Sequence, residues 1–298
     1  MKPIVSNLWF DTQAKEAALF YCSLFPNAHI DNMTVIKDTP SGDCDFINFT
    51  LAGLPFSAIS GGPYFKLNSS ISLTFTSSDE NKIRALWAQL IPGGSELMPL
   101  QDYEFSPCFG WLTDCFGLNW QLMTGEEKAG RSIMPSLLFS GAHHGLARAA
   151  IEYYVSVFED AAITTFIPYA AGEAASHKAQ VKYAQFRLRG TTFVAMDHGM
   201  DEEFTFNEAF SFVIPCKDQA EIDYFWSRLS HVPESEQCGW CKDRFGVSWQ
   251  VVPSYLDEIM LAGSEEEKAR VTAAFLTMKK FDLAKLQEAR LSIGNASH

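Results

Sequence analysis

The phrase "GWLTDCFGLNWQL" at residues 110–122 returns as "GWCKDRFGVSWQV" at 239–251. Trp111 and Trp240, Asp114 and Asp243, Phe116 and Phe245, Gly117 and Gly246, Trp120 and Trp249, and Gln121 and Gln250 all correspond. Upstream, "NSSISLTF" matches "NEAFSFVI", and "EAALFYCSLF" matches "RAAIEYYVSVF" with Tyr21 on Tyr154. Self-similarity running through a whole chain constrains its architecture more than any local propensity does. The spacing between matched blocks changes, which places insertions in loops: "HHGL" before the first helix of the second copy, and a "GGSELMPLQDYEFSP" hairpin in the first. Two homologous domains at 1–128 and 129–256, with a tail at 257–298, account for the pattern.

Within each copy the periodicity alternates between two and 3.6. "IVSNLWF" alternates as a strand, "AKEAALFYCSLF" carries Ala17, Phe20, Tyr21, Leu24 and Phe25 at helical spacing, and "DFINFTLAG" and "PFSAISGG" are strands joined by an Ala-Gly turn. The pattern then restarts with "SISLTFT", a helix bearing Ile83, Leu86, Trp87 and Leu90 on one face, and strands ending in "LNWQLM". Each domain is therefore strand, helix, three strands, repeated twice. Strand parity puts Ile47, Phe49, Leu51, Trp120 and Trp249 toward helices, and Phe46, Asn48, Gln121 and Gln185 on the opposite face. That mixed polar and aromatic face has the composition of a ligand pocket or of a wetted sheet. Trp111 and Trp240 either stack in such a cavity or cap its rim. Which modules pair with which is left open by the sequence.

Charge narrows the partners. Lys plus Arg number 23 against 36 Asp plus Glu, a net charge of −13 that repels phosphate backbones and anionic lipid, so no nucleic acid and no membrane partner is expected. No apolar run has the length of a membrane span, and "MKPIVSNLWF" lacks a signal-peptide pattern, so the expected location is cytoplasmic. Seven scattered cysteines do not form a secreted disulfide framework. Cys238-Gly-Trp-Cys241 has the spacing of a redox or zinc pair, but its counterpart Phe109-Gly-Trp-Leu112 builds the same segment without thiols, and a structural role is expected.

Taken together, "LWFDTQAKEAALFYCSLFP", "ISGGPYFKLN", "ISLTFTSSDE", "GWLTDCFGLNWQ" and the tail "EEKARVTAAFLTMKKFDLAKLQEA" resemble the PhnB-like, 3-demethylubiquinone-9 3-methyltransferase-like family of the vicinal oxygen chelate superfamily, the glyoxalase and bleomycin-resistance fold. The resemblance covers nearly the whole chain, twice. It implies an α+β fold of tandem βαβββ modules, two per domain and four in total, forming glyoxalase-like open barrels, plus C-terminal helices. It also implies where metal-dependent relatives carry their ligands: near Val5 and Met134 on first strands, Ser70 or Ser72 and Ala209 or Ser211 on later ones, and a terminal carboxylate position at Gln121 and Gln250. None of these is His, Cys, Asp or Glu, so no metal and no other cofactor is expected. No glycine-rich turn after a parallel strand opens a helix, so no methyl-donor site is expected either.

The expected function is enclosure of a small organic, possibly aromatic ligand, with Trp9, Phe46, Tyr183 and Trp240 as stacking surface and Asn48, Gln121, Gln185, Arg187 and Gln250 orienting polar groups. The alternative is a metal-independent enzyme in domain two, with Asp197 and His198 as acid and base and Arg187 as anion holder. A regulatory or interaction protein is the third reading. The chain is expected to be a monomer with an internal pseudo-dimer, or a homodimer. His143 and His144, in a strand-to-helix loop, are expected in solvent. In the tail, Ser264 to Glu267 is a capping-box signature, and Val271, Ala274, Phe275 and Met278 form an apolar face expected to pack within the chain.

Overall fold

A computed structural model describes residues 2–125 and 133–291. Three complete modules follow one another. The first is β1 (Val5–Phe10), α1 (Ala14–Leu24), β2 (His29–Thr39), β3 (Gly42–Leu51) and β4 (Leu54–Ser60). The second is β5 (Ile71–Ser77), α2 (Glu80–Leu90), β6 (Ser95–Tyr103), β7 (Ser106–Thr113) and β8 (Asn119–Thr124). The third is β9 (Ile133–Phe139), α3 (Ala147–Val157), β10 (Ala162–Pro168), β11 (Val181–Leu188) and β12 (Thr191–Asp197).

The fourth module departs from the expected pattern. It holds β13 (Phe210–Cys216), α4 (Gln219–Leu229), β14 (Trp240–Lys242) and β15 (Ser248–Pro253), but where the first copy has β6 it has only a 3-10 turn at Pro233–Ser235. The segment is short and carries Pro233, which cannot donate to a ladder. The backbone donors left open are met from elsewhere: Cys238 N and Gly239 N donate to Met278 O and Lys279 O, each at 2.7 Å. The tail, folded as α5 (Leu256–Ala262), α6 (Glu265–Leu276) and α7 (Leu283–Leu291), thereby stands in for the missing strand.

The strands form two open sheets. One runs β14-β15-β13-β1-β4-β3-β2 and the other β10-β11-β12-β9-β5-β8-β7-β6. Each sheet takes one module from each half of the chain, joined by antiparallel pairs: β1 with β13 through Asn7↔Ser211, and β5 with β9 through Ser72↔Ser136. We call them the first and second sheet.

Helices cover one face of each sheet, burying Ala17 and Tyr21 of α1, Ile83 and Leu90 of α2, Ile151 and Tyr154 of α3, and Ile222 and Phe225 of α4. Trp120 and Trp249 are fully enclosed, as their parity predicts. The repeated phrase is built around its aspartate. Asp114 Oδ1 accepts Phe116 N at 2.9 Å and Leu118 N at 3.0 Å, while Oδ2 accepts the Tyr21 hydroxyl at 2.8 Å and Trp120 Nε1 at 3.0 Å. Asp243 repeats all four bonds with Phe245, Val247, Tyr154 and Trp249. Since α1 packs on the first sheet and Asp114 sits in the turn of the second, each hub ties the two sheets together. Among the described residues no helix is long and apolar enough to cross a membrane.

Candidate ligand-binding site

The face of the first sheet opposite its helices is a shallow trough. Strand alternation brings Asn7 and Trp9 of β1, Ser57 of β4, Ser211 of β13 and Gln250 of β15 to its floor. These side chains bond to one another: Gln250 Nε2 donates to Ser211 Oγ at 3.0 Å, Asn7 Nδ2 to the same oxygen at 3.3 Å, and Ser57 Oγ to Asn7 Oδ1 at 2.8 Å. Every member is neutral.

Above this floor lies a cavity of about 600 Å³, and its lining is mainly apolar. Trp9 lies flat on Gly61, where an added Cβ would come within 2.3 Å of the ring, and its Nε1 donates to Gly62 O at 2.8 Å. Phe65 and Trp240 meet the Trp9 ring edge-on, with centroids 5.2 and 6.0 Å away. The tail closes the opposite side with Leu256, Met260, Phe275 and Phe281. Ser264 caps α6 by accepting Glu267 N at 3.2 Å, as its signature predicts.

One charged group of the tail faces the sheet. Asp257 of α5 accepts a hydrogen bond from Asn48 Nδ2 at 3.3 Å, and the same amide donates to Asn32 Oδ1 at 3.1 Å. Asp257 is exposed as a residue, but the protein around its carboxyl partly desolvates it and raises its pKa, against the opposing pull of Lys2 and of the Asn48 bond.

Of the residues singled out from sequence, Trp9, Asn48, Trp240 and Gln250 line this one cavity, and Phe46 joins them. The others fall on the second sheet. Gln121 Nε2 donates to Ser72 Oγ at 2.9 Å, the counterpart of the Gln250–Ser211 bond. Gln185 Nε2 donates to the Tyr183 hydroxyl at 2.6 Å, and Arg187 follows on the same face, exposed. Asp197 and His198 are not brought to that face. Asp197 is buried on the helix side, accepting Ala147 N at 3.1 Å, Gln180 N at 3.0 Å and Val181 N at 2.9 Å, so it anchors the start of α3. His198 sits at the end of β12, within 2.9 Å of Met200 O.

The paired histidines, expected in solvent, are packed instead. His143 Nδ1 lies 2.8 Å from Thr205 Oγ1, and its ring occupies the space a Cβ on Gly246 would need; burial lowers its pKa. His144 Nε2 lies 2.7 Å from His198 O, and its Nδ1 lies 3.3 Å from Asp201. Cys241 is buried and Cys238 half-buried in a turn, with burial pushing the Cys238 thiol up to about 11. Among the described residues no three His, Cys, Asp or Glu side chains converge on a point.

Sequence reasoning missed Asn7, Ser57 and Asp257. Asn7 was legible: it shares parity with Trp9, two residues on, and is an amide in a mainly apolar strand. It, rather than Val5, is the first-strand member of the polar cluster. Asp257 lies beyond the repeat, and nothing local shows that α5 folds back over β3.

The family model described as 3-demethylubiquinone-9 3-methyltransferase matches residues 2–123 and again 131–252. Among solved structures, the PhnB protein from Bacillus cereus is 32% identical over 41% of this chain and 98% of its own, with a TM-score of 0.38. A protein from Staphylococcus aureus is 31% identical over 42% of this chain and 98% of its own, with a TM-score of 0.18. Glyoxalase I from Zea mays is 10% identical but spans 89% of this chain and 97% of its own, with a TM-score of 0.57, a likeness of fold. No curated protein matches.

Proposed function

This chain belongs to the 3-demethylubiquinone-9 3-methyltransferase family, as a tandem member with the vicinal oxygen chelate fold, and from that premise we propose that it binds a small organic molecule without a metal ion. The observation that carries the reading is the cavity of about 600 Å³ between the first sheet and the tail, with aromatic walls and a neutral hydrogen-bonded floor. A cavity of this size takes a ring-bearing metabolite, and the apolar lining provides the driving force while a few polar groups set orientation. The floor does not fit a divalent ion: the terminal carboxylate position is Gln250, whose amide already donates to Ser211, and its neighbours Asn7 and Ser57 are neutral.

Methyl transfer is not part of the reading. The glycines that precede α3, Gly141 and Gly145, are spoken for by packing, since a Cβ would lie 2.8 Å from Phe204 O and 2.6 Å from Lys178 O. Because each sheet is completed by modules from both halves, we infer that one chain forms an internal pseudo-dimer.

Acid–base chemistry on the bound molecule is the second reading, favoured by Asp257, a carboxyl with a raised pKa facing the cavity. The test is a thermal-shift screen of ring-bearing metabolites in the presence of a chelator. Stabilisation of the native protein that is lost in Trp240→Ala supports the proposal, and turnover of a binder that is lost in Asp257→Asn supports the second reading. A cavity that no ring-bearing compound stabilises would contradict both.

A further inference from the structure

Several of the cavity's hydrogen-bond donors are engaged by the protein itself. Gln250 Nε2 and Asn7 Nδ2 both donate to Ser211 Oγ, Asn48 Nδ2 to Asn32 and Asp257, Trp9 Nε1 to Gly62 O, and Lys2 Nζ to Ser254 O at 2.7 Å. Among the same residues the acceptors are the side-chain carbonyls of Gln250 and Asn48 and the Asp257 carboxylate. A carboxylate among these groups favours a ligand that donates.

Charge points the same way. The charged lining residues are Lys2, Glu208, Glu234 and Asp257. Glu208 is neutralised by Lys242, whose Nζ lies 2.6 Å away, and Lys2 is held by a carbonyl. Glu234 and Asp257 therefore outnumber the one remaining cation, in a protein whose net charge is −13. Aromatic rings complete the pattern, because the faces of Trp9, Trp240 and Phe65 attract a cation through their quadrupoles and would do so in a partly desolvated cavity.

We infer that the ligand of this cavity is an organic cation, an apolar or aromatic body bearing a protonated amine, with its charge placed against Asp257 and its body against the Trp9–Trp240 corner. The inference rests on the proposed small-molecule reading and adds the chemical class. Placing a cation there compensates a carboxylate that the fold has partly desolvated.

Three probes with one ring system separate the possibilities: tryptamine as cation, tryptophol as neutral isostere and indole-3-acetate as anion, each titrated calorimetrically into the full chain. Tryptamine is expected to bind at least about tenfold tighter than tryptophol, with indole-3-acetate weakest. Asp257→Asn is expected to bring the tryptamine-to-tryptophol ratio to within about twofold of unity, and Glu234→Gln to lower it by a smaller factor. Equal binding of all three probes, tighter binding of the anion, or a cation preference unchanged in both variants would overturn the charge assignment while leaving the small-molecule reading standing. Failure of all three probes to bind would overturn both.

Discussion

Tyr21, on the helix behind the first sheet, donates its hydroxyl to Asp114 Oδ2 at 2.8 Å in the turn of the second sheet, and Tyr154 makes the same bond to Asp243 at 2.7 Å with the sheets exchanged. This doubled contact explains why the chain keeps the phrase twice. Burial raises the pKa of both carboxyls against the pull of four donors each, so neither position tolerates loss of a partner. Tyr21→Phe and Tyr154→Phe should each destabilise by about 2 kcal/mol, the cost of one hydrogen bond to a charged group. Asp114→Ala, which orphans several buried donors, should cost more than about 3 kcal/mol. Urea unfolding of the two tyrosine variants checks the symmetry directly: near-equal losses are expected, and a large inequality would show that only one hub carries the fold.

The floor of the cavity gives a second prediction. Gln250→Glu places a carboxylate at the position where metal-dependent relatives carry one, yet Asn7, Ser57 and Ser211 remain neutral beside it. No stoichiometric zinc, nickel or manganese binding is expected from this change alone. Adding Asn7→His, on β1 beyond the intervening β13, supplies a second strong donor and should bring measurable affinity by calorimetry.

Gly61 supports the Trp9 wall. Gly61→Ala would drive a methyl group to within 2.3 Å of Trp9 Cζ2, so the ring must move. The expected cost is about 1–3 kcal/mol, with a changed tryptophan emission spectrum and weakened ligand binding.

The Asp257 carboxyl has a folded-state pKa above its ordinary value of 3.8. In the window between the two values the folded protein holds more protons than the unfolded one, so this group's stabilising contribution is full below 3.8 and is lost as pH rises through the folded value. Asp257→Asn removes the titration. Subtracting the variant's melting temperature from that of the native protein should give a difference that declines with rising pH across the mildly acidic range, and a rising difference would contradict the assignment.

Much of this was legible in the sequence, and for identifiable reasons. The repeat with its matched Trp, Asp and Gln residues announced the modules, and parity placed Trp120 and Trp249 in the core and Gln121 and Gln250 opposite, because a strand's period of two leaves no ambiguity once one face is apolar. Pairing was not legible, since Asn7↔Ser211 joins residues from opposite halves and no local pattern encodes that choice. For the same reason Trp9 and Trp240 reach one cavity while Gln121 and Tyr183 lie on the other sheet. The replacement of a strand by Met278 and Lys279 was hidden too, because backbone bonding of that kind depends on where the tail folds rather than on which side chains it carries.

The central claim, metal-independent binding of an organic molecule in the tail-capped cavity, is tested most directly by calorimetric titration of the best binder into chelator-stripped protein and into protein loaded with zinc, nickel or manganese. The account predicts affinities within about twofold of one another, with Trp240→Ala weakening all of them by about tenfold or more. Binding that disappears on chelation and returns with one equivalent of metal would contradict it.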